Sequence, residues 1–311
     1  MDSIQGLMAG IVDYAGLFPP AKLDMEEMVR NYAEYRSCSH AEMLGRVIVP
    51  VARFDVFEEM AGGLMPAVPD AEGAEVEPDP WVISAIVSPA SERDALARDL
   101  ELIEAFNDRH ASEGEGAAFI DTIELRADSG GDIDAALDLL EDDIFPYFEL
   151  PVDADIRGAL AAIAGLDAGA KVRTGGVTAD AHPSPEALAK FIAACNAADV
   201  PFKATAGLHH PMRASQDSVG AKQFGFLNVF VGAGLLHAGA INGDVLLQVL
   251  EEEDPGAFHF DETHAGWRDR TIGLDAIDSA RSQFAHSFGS CSFREPIEDL
   301  QGLGFIPKEH A

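Results

Sequence analysis

Two lysines, Lys171 and Lys203, lie on neighbouring predicted strands of a chain that contains only six lysines in 311 residues. Residues two apart on a strand share a face, which groups Lys171 with Arg173 and Lys203 with Thr205. A deprotonated lysine amine can attack a carbonyl carbon and form a Schiff base. We therefore expect the two amines to lie within ~8 Å of each other, about one Debye length at physiological salt.

Carboxylates occupy the two preceding predicted strands. Glu124 and Arg126 share a face of the fourth strand, and Glu149 lies near the carboxyl end of the fifth. The four basic residues of these strands less the two carboxylates leave a charge of about +2, which suits a substrate bearing carboxylate or phosphate. The alternative is a salt-bridge network that fills the barrel, in which Arg126 and Arg173 neutralise the two carboxylates.

Glycines and histidines follow the later predicted strands. Glycine lets backbone amides approach an anion. The residues expected to bind substrate in this way are Thr174, Gly175 and Gly176 after the sixth strand, and Gly232 and Gly234 after the eighth. His209 and His210 follow the seventh strand. Because neighbours on an extended chain point opposite ways, we expect only one of them to face the site, and we take it to be His209. Its imidazole could bind the substrate, transfer a proton or coordinate a metal ion. Asp13 on the first strand is a further candidate.

Short apolar or β-branched runs alternate with helical patterns along the chain, as in βαβ units. The predicted strands are Ile11–Leu17, Arg46–Val51, Trp81–Val87, Ala118–Arg126, Phe145–Pro151, Ala168–Thr174, Phe202–Leu208 and Phe226–Val231. The predicted helices include Met25–Tyr35, Glu92–Phe106, Ile133–Leu140, Ile156–Ile163 and Pro185–Ala194. Ser184 supplies an N-cap before the last of these, with Pro185 at its first position.

Eight strands, most of them followed by a helix, predict the α/β class and a (β/α)8 TIM barrel. The alternative is an open doubly wound sheet, which a GxGxxG motif after the first strand would favour; that motif is missing from the sequence. We assign residues 1–255 to the barrel and 256–311 to a C-terminal extension packed on it, with an alternating stretch at Phe258–Phe260 and a helix around Leu274–Phe288. The Pro-, Gly- and acid-rich stretch Met65–Pro80 is predicted to be a solvated loop.

At predicted strands six and seven the sequence resembles the Schiff-base aldolases of the deoxyribose-phosphate aldolase family. The matching stretches are Lys171-Val172-Arg173-Thr174-Gly175 and Lys203-Ala204-Thr205-Ala206-Gly207, which are similar to the KxxTG and KAxxG-like patterns of that family. The resemblance implies Lys171 as the nucleophile and Lys203 as a neighbouring cation that lowers its pKa. The chain departs from the family in having Arg173 beside the lysine and His209-His210 after the seventh strand. It also lacks a clear counterpart of the family's acidic proton relay, for which Glu124 is a candidate.

These observations favour an aldolase-type lyase that acts on a small anionic carbonyl substrate through a lysine Schiff base, without a cofactor. In that hypothesis Lys171, Lys203, Glu124 and Glu149 are catalytic. A second hypothesis is a metal-dependent lyase or isomerase, in which the carboxylates and a mouth histidine hold Mg²⁺, Mn²⁺ or Zn²⁺. A third is a binding protein without catalytic activity that holds an acidic metabolite.

The balance of 54 acidic against 21 basic residues, a net charge of −33, makes nucleic acid and anionic membrane poor partners. A small anionic metabolite is the expected partner, and a second copy of the chain is a further candidate. Three widely spaced cysteines and an N-terminus without a signal-peptide pattern predict a cytoplasmic protein. An acidic, lysine-poor surface around an ordinary core is typical of proteins from salt-adapted organisms.

Dissolved salt should therefore stabilise the protein. Because counterions screen repulsion among the acidic side chains, we expect the melting temperature to rise as KCl is increased from low to molar concentration. Thermal melts across a KCl series measure this. A melting temperature that stays constant or falls would contradict salt adaptation.

Overall fold

A computed structural model describes residues 2–69 and 79–308, and eight parallel strands in it close into a barrel. The barrel strands are β1 (Val12–Tyr14), β2 (Leu44–Pro50), β3 (Trp81–Ile86), β4 (Ala118–Arg126), β5 (Phe145–Glu149), β6 (Gly169–Arg173), β7 (Phe202–Thr205) and β13 (Ala285–Ser290). Around the barrel their order is β1-β13-β7-β6-β5-β4-β3-β2, and β2 pairs with β1 to close it. The predicted (β/α)8 fold is confirmed.

The prediction of the eighth strand is wrong. Phe226–Val231 begins α8 (Phe226–His237), a helix whose residues are buried on all sides as far as Leu236. A short apolar run cannot be assigned to a strand or a buried helix from periodicity alone, because neither has a polar face. The strand that closes the barrel is β13, which pairs with β7 on one side and β1 on the other.

The predicted boundary at residue 255 is wrong for the same reason, since the eighth barrel strand lies beyond it. Phe258–Phe260 is a strand as expected, β10, in an antiparallel sheet with β11 (His264–Trp267) and β12 (Arg270–Gly273). The helix predicted around Leu274–Phe288 ends at Gln283, where β13 follows. A small hairpin, β8 (Ala214–Gln216) and β9 (Ala221–Gln223), stands between β7 and α8.

Helices cover the outside of the barrel. They are α1 (Ser3–Met8), α2 (Met25–Tyr35), α3 (Phe54–Ala61), α4 (Arg93–His110), α5 (Gly130–Leu137), α6 (Arg157–Ile163), α7 (Pro185–Ala197), α8, α9 (Gly243–Glu251), α10 (Leu274–Gln283) and α11 (Arg294–Leu303). The five predicted helices correspond to α2, α4, α5, α6 and α7, and Ser184 caps α7 by accepting from the amide of Ala187. Much of the predicted loop Met65–Pro80 lies outside the described residues.

Alternation along β4 separates an apolar outer face from a polar inner face. On β4, Ile123 and Leu125 are buried beneath the helices, while Thr122 and Glu124 are buried on the inner side. In the two described ranges, no helix has the length and apolar character needed to cross a bilayer. The interior of this barrel therefore carries charge where a purely structural core would carry branched apolar side chains.

Removing the last strand tests this topology. A chain that ends after Pro255 retains seven barrel strands, and the unpaired edges of β1 and β7 should prevent cooperative folding. A chain that ends after Pro307 keeps every barrel strand and serves as the control. Thermal unfolding followed by circular dichroism should show a cooperative transition for the control alone; a cooperative transition in the shorter chain would contradict the topology.

Candidate active site

Ionised side chains of alternating sign form a continuous chain inside the barrel. Lys203 donates through Nζ to Oδ2 of Asp13 and to Oε1 of Glu124, both at 2.6 Å. The other oxygen of Glu124 contacts Nζ of Lys171 at 2.8 Å, and Lys171 also contacts Oε2 of Glu149 at 2.8 Å. Glu149 in turn lies 3.8 Å from Nη1 of Arg173. We call these six residues the ion chain.

Glu124 is the central member of the ion chain. Its side chain is 1% exposed, and Oε1 also accepts a hydrogen bond from the Ser84 hydroxyl at 2.8 Å. Burial alone would raise the pKa of this carboxyl, but the ammonium groups of Lys171 and Lys203 outweigh burial and hold its pKa far below its usual value. Glu124 is therefore stabilised as an anion between two cations.

Asp13 anchors the inner end of the ion chain. Oδ2 accepts from the Ser287 hydroxyl at 2.7 Å as well as from Lys203, and Oδ1 accepts from the amide of Arg46 at 2.9 Å. Gly45 permits this last contact, since a Cβ at that position would lie 2.5 Å from Oδ1. Four barrel strands, β1, β2, β7 and β13, thus meet at one carboxylate.

Lys203 is enclosed on its remaining side. Its ammonium nitrogen lies 5.3 Å from the centroid of the Tyr147 ring, a cation–π contact, and its side chain is fully buried. The Tyr147 hydroxyl lies 2.5 Å from Nδ1 of His286. Burial, assisted by Arg281, lowers the pKa of His286 to about 4. His286 is therefore neutral at pH 7, with Nδ1 able to accept from Tyr147 while Nε2 donates to the carbonyl of Ser282 at 3.2 Å.

Lys171 differs from Lys203 in facing an open cavity at the carboxyl end of the strands. Burial would lower the pKa of Lys171, but the carboxylates of Glu124 and Glu149 outweigh burial and raise its pKa above the ordinary lysine value. The expected lowering of the pKa of Lys171 is therefore not found, because the two carboxylates outweigh any effect of the Lys203 ammonium group. Since both contact one carboxylate, the two amines lie within the expected ~8 Å.

The cavity has a volume of about 200 Å³, which suits a small metabolite. It is lined by Ala15, Phe18, Pro19, Pro20, Ile48, Ile86, Glu124, Lys171, Arg173, Gly176, Val177, Thr205, Ala206, Gly207, His209, Gly289 and Cys291. Gly289 keeps the space above Lys171 open: a Cβ there would lie 3.1 Å from Oγ1 of Thr205 and 3.3 Å from Cδ1 of Ile48.

The loops after β6 and β7 are packed closely together. A Cβ on Gly175 would lie 3.0 Å from Cα of Gly207, and Gly207 has a φ of +76°, so glycine is required at both positions. Thr174 is fully buried and donates through Oγ1 to the carbonyl of Ala206 at 2.5 Å. Thr174 and Gly175 therefore hold the two loops together, while Gly176 lines the cavity as expected.

Of the two adjacent histidines, His209 lines the cavity and His210 turns away to Asp299, whose Oδ2 lies 2.6 Å from Nδ1. Nδ1 of His209 lies 3.5 Å from Oε2 of Glu295 and 4.0 Å from Sγ of Cys291. Burial would lower the pKa of His209, but the contacts with Cys291 and Glu295 raise it to about 9. His209 is therefore a cation at neutral pH.

Several expected site residues lie elsewhere. The Arg126 side chain is 69% exposed and pairs with Asp128, because it extends beyond the rim of the barrel. Gly232 and Gly234 lie within buried α8, where their missing side chains admit Leu246 and Ile272. They form no anion-binding loop.

The expected interior charge of about +2 is also wrong. The ion chain includes Asp13 and excludes Arg126, so its three cations and three carboxylates balance. The structural alternative predicted from the sequence, a salt-bridge network, is present with different partners. Ser84, Ser287 and His286 were not expected in the interior. Alternation gives only a weak signal for Ser84, because serine is common on surfaces. His286 and Ser287 are neighbours on β13, where the pairing with β7 shifts register, so simple alternation does not predict that both reach the interior.

No family model and no curated protein sequence matches this chain. Within residues 2–69 and 79–308, no group of three or more His, Cys, Asp or Glu is placed to hold a metal ion. Glu124 and Glu149, which the metal-dependent hypothesis assigns as ligands, both contact the Lys171 ammonium group.

Replacing Lys203 tests the ion chain. Lys203→Met leaves Asp13 and Glu124 buried without their shared cation, so we expect the free energy of unfolding to fall by ~3–5 kcal/mol. Lys222→Met is the matched control, since Lys222 forms an exposed pair with Glu253 and should cost ~0–1 kcal/mol. Urea denaturation of both variants measures the difference. Equal stability of the two would show that Lys203 is not paired as described.

Proposed function

We propose that the protein is an aldolase-type lyase in which Lys171 forms a Schiff base with a small carbonyl substrate. The observation that carries the proposal is the position of Lys171: its ammonium group lies at the base of the cavity, between Glu124 and Glu149, at the carboxyl end of the barrel strands. Sites of (β/α)8 enzymes lie at this end. The enclosed Lys203 has no comparable access, which makes Lys171 the nucleophile.

The reaction begins with loss of a proton from Lys171, and Glu149 is the acceptor, since it contacts Nζ at 2.8 Å and is 22% exposed. The free amine then attacks the carbonyl carbon, the carbonyl oxygen leaves as water after protonation, and a positively charged iminium remains. Cleavage of the bond between the α and β carbons sends its electron pair into the iminium and leaves an enamine on Lys171, while a base removes the proton of the β-hydroxyl group, which becomes the carbonyl group of the departing fragment. Protonation of the enamine and hydrolysis by water then release the second product and free Lys171.

The same carboxylates that raise the pKa of Lys171 also favour the iminium. An iminium carries the positive charge of the ammonium group it replaces, so Glu124 and Glu149 stabilise it as they stabilise the ammonium group. The ion chain therefore opposes the first deprotonation and supports the covalent intermediate. The requirement for deprotonation predicts activity that increases with pH through the neutral range.

A second candidate function follows from the raised pKa of Lys171 itself. As an ammonium group, Lys171 could polarise a substrate carbonyl while a base at the cavity removes the neighbouring proton, without a covalent bond. This is the chemistry of an enolising isomerase or lyase. A non-catalytic binding protein for an acidic metabolite would use the same cations without turnover.

Borohydride trapping separates the covalent proposal from the others. The protein is incubated with pyruvate or glyceraldehyde 3-phosphate and borohydride, and its mass and peptide map are measured. We expect a stable mass increase on the peptide that carries Lys171, and none in Lys171→Met or in Lys171→Arg, which preserves the charge. Lys222→Met, at an exposed position, should be labelled like the parent. Equal labelling of the Lys171 variants would overturn the proposal.

A further inference from the structure

The two walls of the cavity differ in chemistry. Loops and strand ends of β1, β2 and β3 contribute carbon surfaces: Phe18, Pro19, Pro20, Ile48 and Ile86. The strand order places β6 and β7 across the barrel from these strands, and their ends contribute Arg173, Gly176, Thr205 and His209. Lys171 lies at the base between the two walls. A ligand whose carbonyl carbon reaches Lys171 thus meets apolar atoms on one side and cations on the other.

Part of the apolar wall is exposed on a strongly acidic protein. Pro19 and Pro20 are exposed, in a chain with 54 acidic residues and a net charge of −33. Among the described residues that line the cavity, Glu124 is the one carboxylate, and it is buried and paired with two lysines. An apolar surface preserved within an acidic one is typical of a ligand-binding site.

The opposite wall offers charges for a small anion. Arg173 is 55% exposed, and its contact with Glu149, at 3.8 Å, is longer than a normal hydrogen bond. His209 lines the cavity with Glu295 and Cys291 behind it. A carboxylate next to the reacting carbonyl can approach both cations. A polyhydroxylated ligand fits less well, because its hydroxyl groups would face carbon atoms that offer no hydrogen bond in exchange for water.

We propose that the cavity binds a 2-oxo acid with a branched-alkyl or aryl side chain, in preference to a sugar phosphate. Its carbonyl carbon lies at Lys171, its carboxylate lies toward Arg173 and His209, and its side chain packs against Phe18, Ile48 and Ile86. The inference rests on the proposed function for the place of the carbonyl group. The selectivity follows independently from the two walls.

Isothermal titration calorimetry with three probes tests the selectivity. The probes are 4-methyl-2-oxopentanoate, pyruvate, which has the same head group without the isobutyl side chain, and glyceraldehyde 3-phosphate. Because one methylene in an apolar pocket changes affinity about tenfold or more, 4-methyl-2-oxopentanoate should bind at least about tenfold more tightly than pyruvate. Glyceraldehyde 3-phosphate should bind more weakly than 4-methyl-2-oxopentanoate.

Substitutions in the apolar wall test whether its side chains cause the selectivity. Phe18→Ser and Ile86→Ser should each reduce the ratio of the two 2-oxo acid affinities, whereas Leu102→Ser, at an exposed position on α4, should preserve it. Melting temperatures identify any variant that is unfolded, and Phe18, on a loop, is the safer of the two sites. Equal affinity for the two 2-oxo acids, tighter binding of glyceraldehyde 3-phosphate, or no binding of any probe would overturn the inference.

Borohydride treatment of the same samples distinguishes failure of this inference from failure of the proposed function. Selective binding of 4-methyl-2-oxopentanoate without a mass increase at Lys171 overturns the Schiff base and leaves the ligand class standing. A mass increase at Lys171 that occurs equally with all three probes overturns the ligand class and leaves the Schiff base standing.

Discussion

Six charges of alternating sign have to be held in one order inside the barrel, in the sequence Asp13, Lys203, Glu124, Lys171, Glu149 and Arg173. Each buried charge would cost several kcal/mol without its neighbours, so the members stabilise the fold only as a set. A slip of one residue in any strand would turn its member outward. The ion chain therefore fixes strand register, and Ser287 connects β13 to it through Asp13.

The ion chain also distinguishes the two lysines on which the proposed reaction depends. Lys203 donates to two carboxylates and packs on Tyr147, so its contacts are those of a structural residue, and Glu124 connects it to the cavity. Lys171 shares the same carboxylate but faces the cavity. A positive charge at that point is favoured whether it belongs to an ammonium group or to the iminium of the proposed reaction, so the arrangement that stabilises the fold is compatible with the covalent chemistry that we propose.

Alternation and residue type were sufficient to predict most of the fold and the central residues of the site. The inward positions of Glu124, Lys171 and Lys203 follow from the alternation of side chains along a strand. Helical spacing of apolar residues predicts α2, and the Ser-Pro pair predicts the N-cap of α7. The errors occurred where the local pattern is ambiguous: Phe226–Val231 is apolar on every side, and the glycines that follow it resemble a loop. Arg126 shares the inward face of β4, but local alternation does not show where the barrel rim ends.

The sequence by itself determined the fold class, the strands that carry charge and the face each charge occupies, because these depend on the chemistry of residues a few positions apart. Only the tertiary structure decided which strand closes the barrel, that Asp13 completes the ion chain, and that Glu124 separates the two lysines. Those outcomes depend on contacts between residues as far apart as Asp13 and Ser287. The sign of a pKa shift depends on such contacts, since distance and burial set the strength of each charge interaction.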